Sequence, residues 1–419
     1  MIPELQVKGV AQSLLPYLDT LTTVSLAKEY EASESSMNLP FDEDIVRHVH
    51  DAVEQKKSDA LRYIIVIGIG GSNLGTKAIY DALLGNFDRM EAQRFPKMIF
   101  LDTNDAKFLS RMKVFLEEMI ESPRQILLNV VSKSGDTIET VINFEIVLHI
   151  LHKKFGDVVF ERIVVTTDFQ TKLWHAATGK GVTCLEIPRK VGGRFSVLSP
   201  VGLFPCELAG IDTSKMMEGA RDMRNQCLNK NVLENPAALT ASLLFIHAQQ
   251  GMKIHDNFFF HPELESLGKW YRQLLAESIG KDTTGITPTV SIGSTDLHSM
   301  AQLYLAGPHD KFTTFVWARE SDNDIVAPLD SLLIGIDGAR GKTCSEIMYA
   351  ILTGVKSTYS KIGLPFVEII MSDLSEHGIG QFLQFKMIEI MMLGHLMDVN
   401  AFDQPAVELY KREVHLALT

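Results

Sequence analysis

QILLNVVSKSGDTIETVINFEIVLHILHKKF, residues 125–155, holds the decision about the fold. Its opening run is dense in Ile, Leu and Val without polar alternation, the pattern of a strand buried on both faces. From Ile138 the apolar residues return every three or four positions, as they do on one face of a helix. Between the two lie Ser132, Lys133, Ser134, Gly135, Asp136 and Thr137, a cluster of small residues and one lysine at a strand end.

The same unit recurs on both sides. YIIVIGIG (63–70), KMIFLDT (97–103), RIVVTT (162–167) and TCLEIP (183–188) are further short apolar runs separated by helical segments. A mostly helical stretch spans 200–250, and the rhythm then returns with KIHDNFFF (253–260), TPTVSIGS (287–294), KFTTFVWA (311–318) and PFVEIIMS (365–372). A long helix is expected over 376–398 and a short one at the end of the chain. Strands of this kind alternating with helices predict an α/β protein with parallel sheets covered on both faces. Residues 1–45 read as a helical segment with a loop at EASESSMN (31–38). The remainder divides near 190–210 into a first domain, 46–200, and a second, 201–419, that includes the C-terminal helices.

Composition narrows the function. The 419 residues are 46% hydrophobic and 22% charged, as in an ordinary folded protein. A net charge of −12 argues against general binding to nucleic acid or membrane, both of which favour an excess of Lys and Arg. Cys184, Cys206, Cys227 and Cys344 show no CxxC or zinc spacing and read as reduced thiols of a cytoplasmic protein. His255 and His261 do not fit HExxH, so no metal site is expected. The amino terminus lacks a basic region followed by an apolar run, and no apolar stretch reaches the ~18 residues of a membrane span.

The loop at 132–137 has a counterpart in YIIVIGIGGSNLGTKAIYDAL (63–83), which is also strand, glycines and serine, then helix. Helix N-termini expose unpaired N–H groups and favour phosphate, and glycines let the backbone come close to it. The dinucleotide fingerprint fails, because Asn73 stands where the third glycine belongs. The Walker pattern fails as well, because Thr76 precedes Lys77. Two readings stand: a phosphate cradle built from Ser72, Ser132, Lys133, Ser134 and Thr137, or simple helix capping with Asp136 and Glu139 as a capping-box-like pair.

Other motifs add chemistry. GGRFSVLS (192–199) sets Arg194 after a glycine turn. KWYRQLLAESIGK (269–281) puts Gln273 and Glu277 on one helix face. TDLHS places His298 after a strand. NAFDQPAVELYKRE (400–413) opens a helix at Pro405 with Asp403 as its expected N-cap, and Gln404 and Lys411 roughly share a face. Each motif alone has a bland reading as a solvated or structural residue. Together they supply a phosphate cradle, a carboxylate, an imidazole, an arginine and a lysine without a cofactor, an inventory suited to proton transfer beside a carbonyl.

With GIGGSNLG, SKSGDTIET, GGRFSVLS, ESIGK, TDLHS and FDQPAVELYK in this order, the sequence resembles the glucose-6-phosphate isomerase (phosphoglucose isomerase) family over positions 68–411. The resemblance implies two sugar-isomerase (SIS) domains and interconversion of glucose 6-phosphate and fructose 6-phosphate through a cis-enediol, in glycolysis and gluconeogenesis. It implies that Ser72, Ser132, Lys133, Ser134 and Thr137 bind the phosphate, and that Glu277 moves the proton between C2 and C1. Arg194 would stabilise the enediolate, and His298 and Lys411 would assist ring opening. Gly71, Gln273 and Gln404 would line the site. It also implies a homodimer with shared active sites, in which His298 reaches into the partner's site. Two departures stand out: Asp136, where many members carry Thr, and Ile279, where many carry Asn.

Two other readings fit two SIS domains. A glucosamine-6-phosphate synthase would need an amino-terminal cysteine nucleophile, whereas the first cysteine is Cys184. A sugar-phosphate-binding regulatory module would need the loops but not Glu277, His298 and Lys411, all of which occur in matching context.

Overall fold

The structure is a computed structural model and describes residues 2–27, 29–319 and 324–418. All nine apolar runs are strands. The first sheet contains β1 (Tyr63–Ile67), β2 (Lys97–Leu101), β3 (Ile126–Val131), β4 (Ile163–Thr167) and β5 (Thr183–Glu186), parallel throughout in the order β2-β1-β3-β4-β5. The second contains β6 (Ile254–Phe259), β7 (Thr287–Ile292), β8 (Lys311–Ala318) and β9 (Phe366–Met371), also parallel, in the order β7-β6-β8-β9.

Strand alternation explains how the layers are held. Ile64 and Val66 of β1 join one large core with Leu127, Val164, Phe259 and Val316, so the inner faces of both sheets share it. Ile65 and Ile67 point the other way, into a second core with Leu128, Val130 and Val165. Phe258 and Phe315 do the same on the outer face of the second sheet. Because the side-chain period of a strand is two, strands covered on both faces need apolar residues at nearly every position.

Helices Pro200–Leu208, Thr213–Cys227 and Pro236–Gln249 fill the stretch between the sheets, and helix Glu376–Leu396 runs through the shared core. The loop expected at 31–38 is largely replaced by a 3-10 helix, Ser33–Phe41. It is anchored by the Asn38 amide, which donates to the Val24 and Ala27 carbonyls at 2.8 and 3.1 Å. The C-terminal helix begins at Val407 and not at Pro405. Asp403 does not cap it, because its carboxylate is taken by Asn400 at 2.9 Å and by Lys281 at 3.1 Å.

One topological feature places the site. β2 and β3 lie on opposite sides of β1, so the chain leaves β1 and β3 in opposite directions and a crevice opens between their C-terminal ends. The loops at 68–73 and 132–137 both emerge there.

Candidate active site

Both loops lead into helices whose first turns receive no side-chain cap. Helix Leu74–Leu84 starts after Asn73 and helix Ile138–Phe155 after Thr137, and neither side chain bonds the turn it precedes. Elsewhere Asp105, Thr171 and Asp212 cap their helices in the ordinary way. The Asp136–Glu139 capping pair is therefore not formed. The Thr137 hydroxyl lies 3.1 Å from Ser132 Oγ, and Ser132 Oγ also accepts the Gly135 N–H at 3.2 Å. The loop is thus tied to itself, and the N–H groups of the first helical turn stay available at the crevice.

The first loop is seated against the arginine motif. A Cβ on Gly71 would lie 2.2 Å from the Gly193 carbonyl carbon and 2.6 Å from the Arg194 nitrogen, so only glycine permits this backbone contact. Ser72 is half-buried at the end of the turn.

Arg194 is the centre of the arrangement. It is 3% exposed, and all five of its N–H donors find acceptors. Nε donates to Ser278 Oγ at 2.8 Å. One terminal nitrogen donates to Glu277 Oε1 at 3.1 Å and Gln404 Oε1 at 2.9 Å. The other donates to the carbonyls of Ala401 at 2.6 Å and Asp403 at 3.0 Å. Burial pushes its pKa below the usual arginine value, while the nearby Glu277 and Asp403 carboxylates oppose that shift. The surface-turn reading of Arg194 does not hold.

Glu277 and Gln273 sit on helix Glu265–Ile279, which also buries Trp270, Tyr271, Leu274 and Leu275. Full burial of each such apolar side chain stabilises by roughly 1.5–3 kcal/mol, so the helix is a firm platform. Gln273 Nε2 donates to Glu277 Oε2 at 2.9 Å, which confirms the shared face. Both carboxylate oxygens are therefore oriented, one by Arg194 and one by Gln273. The Glu277 side chain keeps 25% exposure, which leaves it open to a ligand. Gln273 Oε1 is buried and has no hydrogen-bond partner among the described residues.

The other candidates stand at different distances from this cluster. Lys133 turns its ammonium to the Arg189 carbonyl at 2.8 Å, and burial lowers its pKa. Ser134 is exposed. Lys411 is exposed on the C-terminal helix and donates to Glu408 at 2.7 Å; that bond raises its pKa, and the charge of Asp136 acts in the same direction. His298 is exposed in the turn after β7 and has no hydrogen bond to the Arg194–Glu277 cluster among the described residues.

Two residues of the cluster, Ser278 and Lys281, are not singled out by the sequence, and a third, Asp403, is marked there only as a helix cap. Ser278 holds Arg194 Nε, Asp403 supplies a carbonyl, and Lys281 bonds the Ser278 carbonyl at 3.0 Å. ESIGK and FDQP contain all three, but nothing in their spacing joins them to Arg194. The described residues contain no cluster of metal-ligating side chains and no helix long and apolar enough to cross a membrane.

Known proteins resemble this chain in sequence and in fold. The family model for phosphoglucose isomerase matches residues 44–299, which includes both loops, Arg194, Glu277 and His298. The probable glucose-6-phosphate isomerase of Methanococcus maripaludis is 34% identical, with 85% of this chain and 78% of that protein covered. The glucose-6-phosphate isomerase of Carboxydothermus hydrogenoformans is 33% identical, with 95% and 88% covered. Among solved structures, a hypothetical protein from Thermus thermophilus superposes with a TM-score of 0.87 at 30% identity, covering 98% of this chain and 96% of that one. A glucose-6-phosphate isomerase from Chlamydia trachomatis shares the fold, with a TM-score of 0.78 at 19% identity over 97% of this chain and 85% of that one. A crevice between β1 and β3, an arginine wedged beside a helix-borne carboxylate, and relatives matched over most of their length lead to one conclusion: the chain belongs to the phosphoglucose isomerase family.

Proposed function

We propose that the protein interconverts glucose 6-phosphate and fructose 6-phosphate. The observation that carries this reading is the convergence of Arg194, Glu277, Gln273 and Gln404 beside a crevice rimmed by two uncapped helix N-termini. The phosphate binds at the loops through Ser72, Ser132, Ser134, Thr137 and backbone N–H groups, with Lys133 contributing its own N–H. The sugar then lies toward Glu277. Glu277 takes the proton from C2 of the open-chain aldose and returns it to C1, and the cis-enediolate formed between the two steps is stabilised by Arg194. Gln273 Oε1 accepts from a sugar hydroxyl, and Gly71 keeps the first loop against Arg194. Lys411 and His298 assist opening of the ring.

His298 serves best in a homodimer, where its exposed imidazole completes the partner's site. Residues 46–200 would form one SIS domain with the phosphate loops, and 201–419 the second. The four described cysteines are unpaired, which suits a cytoplasmic enzyme.

A coupled assay that follows fructose 6-phosphate formation tests the reaction. Turnover is expected, and binding of glucose 6-phosphate without turnover would leave only a regulatory module. Refolding a mixture of inactive His298→Ala and Glu277→Ala chains tests the shared site. Heterodimers should regain activity, since one site of each then has both residues intact. Verified heterodimers without activity would rule out sharing.

A further inference from the structure

Lys281 follows the break at Gly280, one turn beyond Glu277. Its ammonium donates to the carbonyls of Ser278, at 3.0 Å, and of Asn400, and pairs with Asp403 Oδ1 at 3.1 Å. The side chain is only 9% exposed, whereas that of Asp403 is 50% exposed. From the other side, Arg194 grips Ala401, Asp403 and Gln404. The Phe402 ring packs 5.4 Å from that of Phe195. Residues 400–404 are thus held between two cations that come from distant parts of the chain. Arg194 has no donor left for the Asp403 carboxylate, because all five are in use.

We propose that Lys281 is a positioning residue for the isomerisation: it latches residues 400–404 to the helix that carries Glu277, and it neutralises Asp403 so that Arg194 keeps its positive charge for the substrate. The inference rests on the isomerase reading above. Its first part is mechanical. The latched segment presents Gln404 and leads directly into helix Val407–Leu418, which carries Lys411. Its second part is electrostatic. Arg194 already pairs with Glu277, and its charge is also felt by Asp403. If Lys281 were lost, the Asp403 carboxylate would stand without its cation near Arg194, and its negative charge would offset part of the field that stabilises a developing enediolate.

The test uses the full chain, with kcat and KM for fructose 6-phosphate and equilibrium binding of 6-phosphogluconate, a non-reacting acyclic phosphorylated acid. Lys281→Met should lower kcat by about tenfold or more, as expected for losing charge-assisted bonds. KM and 6-phosphogluconate binding should stay within about threefold of wild type, because the phosphate loops are untouched. Adding Asp403→Asn removes the unneutralised charge and should recover at least about threefold of the lost kcat, a coupling expected between residues in direct contact. A merely structural role predicts the reverse, with the double variant no better than the single one. Lys281→Met with wild-type kcat, or a double variant without recovery, would overturn the proposal. If Lys281→Met does not fold, Lys281→Arg and Lys281→Gln make the same comparison: Arg should retain kcat and Gln should lose it, and equal rates would overturn the proposal. A wild-type protein without isomerase activity would overturn the isomerase reading itself, and the latch with it.

Discussion

Replacing Arg194 by lysine keeps a positive charge and removes the planar fork. The guanidinium satisfies five acceptors, at 2.6 to 3.1 Å, from Ser278, Glu277, Gln404, Ala401 and Asp403. An ammonium has three donors on one nitrogen, so at least two acceptors lose their partner. The Glu277 side chain is 25% exposed and can turn to water, but Ser278 and Ala401 are buried and cannot. Each buried acceptor left unsatisfied costs ~1–3 kcal/mol, or ~2–6 kcal/mol for two. That is a large share of the roughly 5–15 kcal/mol by which folded proteins are stable. Thermal scanning of Arg194→Lys should show a midpoint lower by several degrees. In the coupled assay kcat should fall by ~10²-fold, because Glu277 and Gln404 lose the fork that holds them in place. A variant with an unchanged melting midpoint and near-normal kcat would refute the view that this arginine is both a bolt of the site and its electrophile.

Further expectations follow from other contacts. Ser132→Ala and Thr137→Ala each remove a hydroxyl from the second loop, and KM for glucose 6-phosphate should rise by roughly 3–10-fold with less change in kcat; an unchanged KM in both would return the loop to a purely structural role. Gly71→Ala drives a Cβ to 2.2 Å from the rigid Gly193 backbone, so the first loop must move away from Arg194, and binding of 6-phosphogluconate should weaken while secondary structure, followed by circular dichroism, persists. His247 is stacked on Phe312 at 4.3 Å, and burial lowers its pKa to about 4. Its imidazole therefore stays neutral in the fold while the unfolded chain takes up a proton below its ordinary value of 6.5, and stability is lost as the pH falls from 6.5 toward 4. His247→Phe keeps the stack and should flatten the melting midpoint across that window; an unchanged slope would show that other groups set it.

The strands were legible because parallel strands covered on both faces carry apolar residues at nearly every position, and such runs stand out against any background. The crevice followed from the pairing of two strand–glycine–helix units. Distance in the chain hid the rest. Arg194 finds its partners 83 to 210 positions away, and GGRFS gives no hint that the side chain plunges inward. Lys133 invites a reading as a charge for the phosphate, yet a carbonyl at Arg189 takes its ammonium. Asp403 has the composition of an N-cap, but an ion pair with Lys281 competes for the same carboxylate. The 3-10 turn at 33–41 depends on Asn38 reaching back to the second helix, a contact that local propensity does not encode.

In the proposed reaction Glu277 moves a proton at C2 of a bound sugar phosphate. Isomerisation in deuterated water tests it directly, with the deuterium at C2 of glucose 6-phosphate followed by NMR from added fructose 6-phosphate. The wild-type enzyme should place solvent deuterium at C2 as the substrate isomerises. Glu277→Gln keeps the bond from Arg194, and the one with Gln273 once that amide flips, but cannot accept a proton; it should bind 6-phosphogluconate and label C2 at least ~10²-fold more slowly. Labelling by Glu277→Gln at the wild-type rate would show that another group moves the proton.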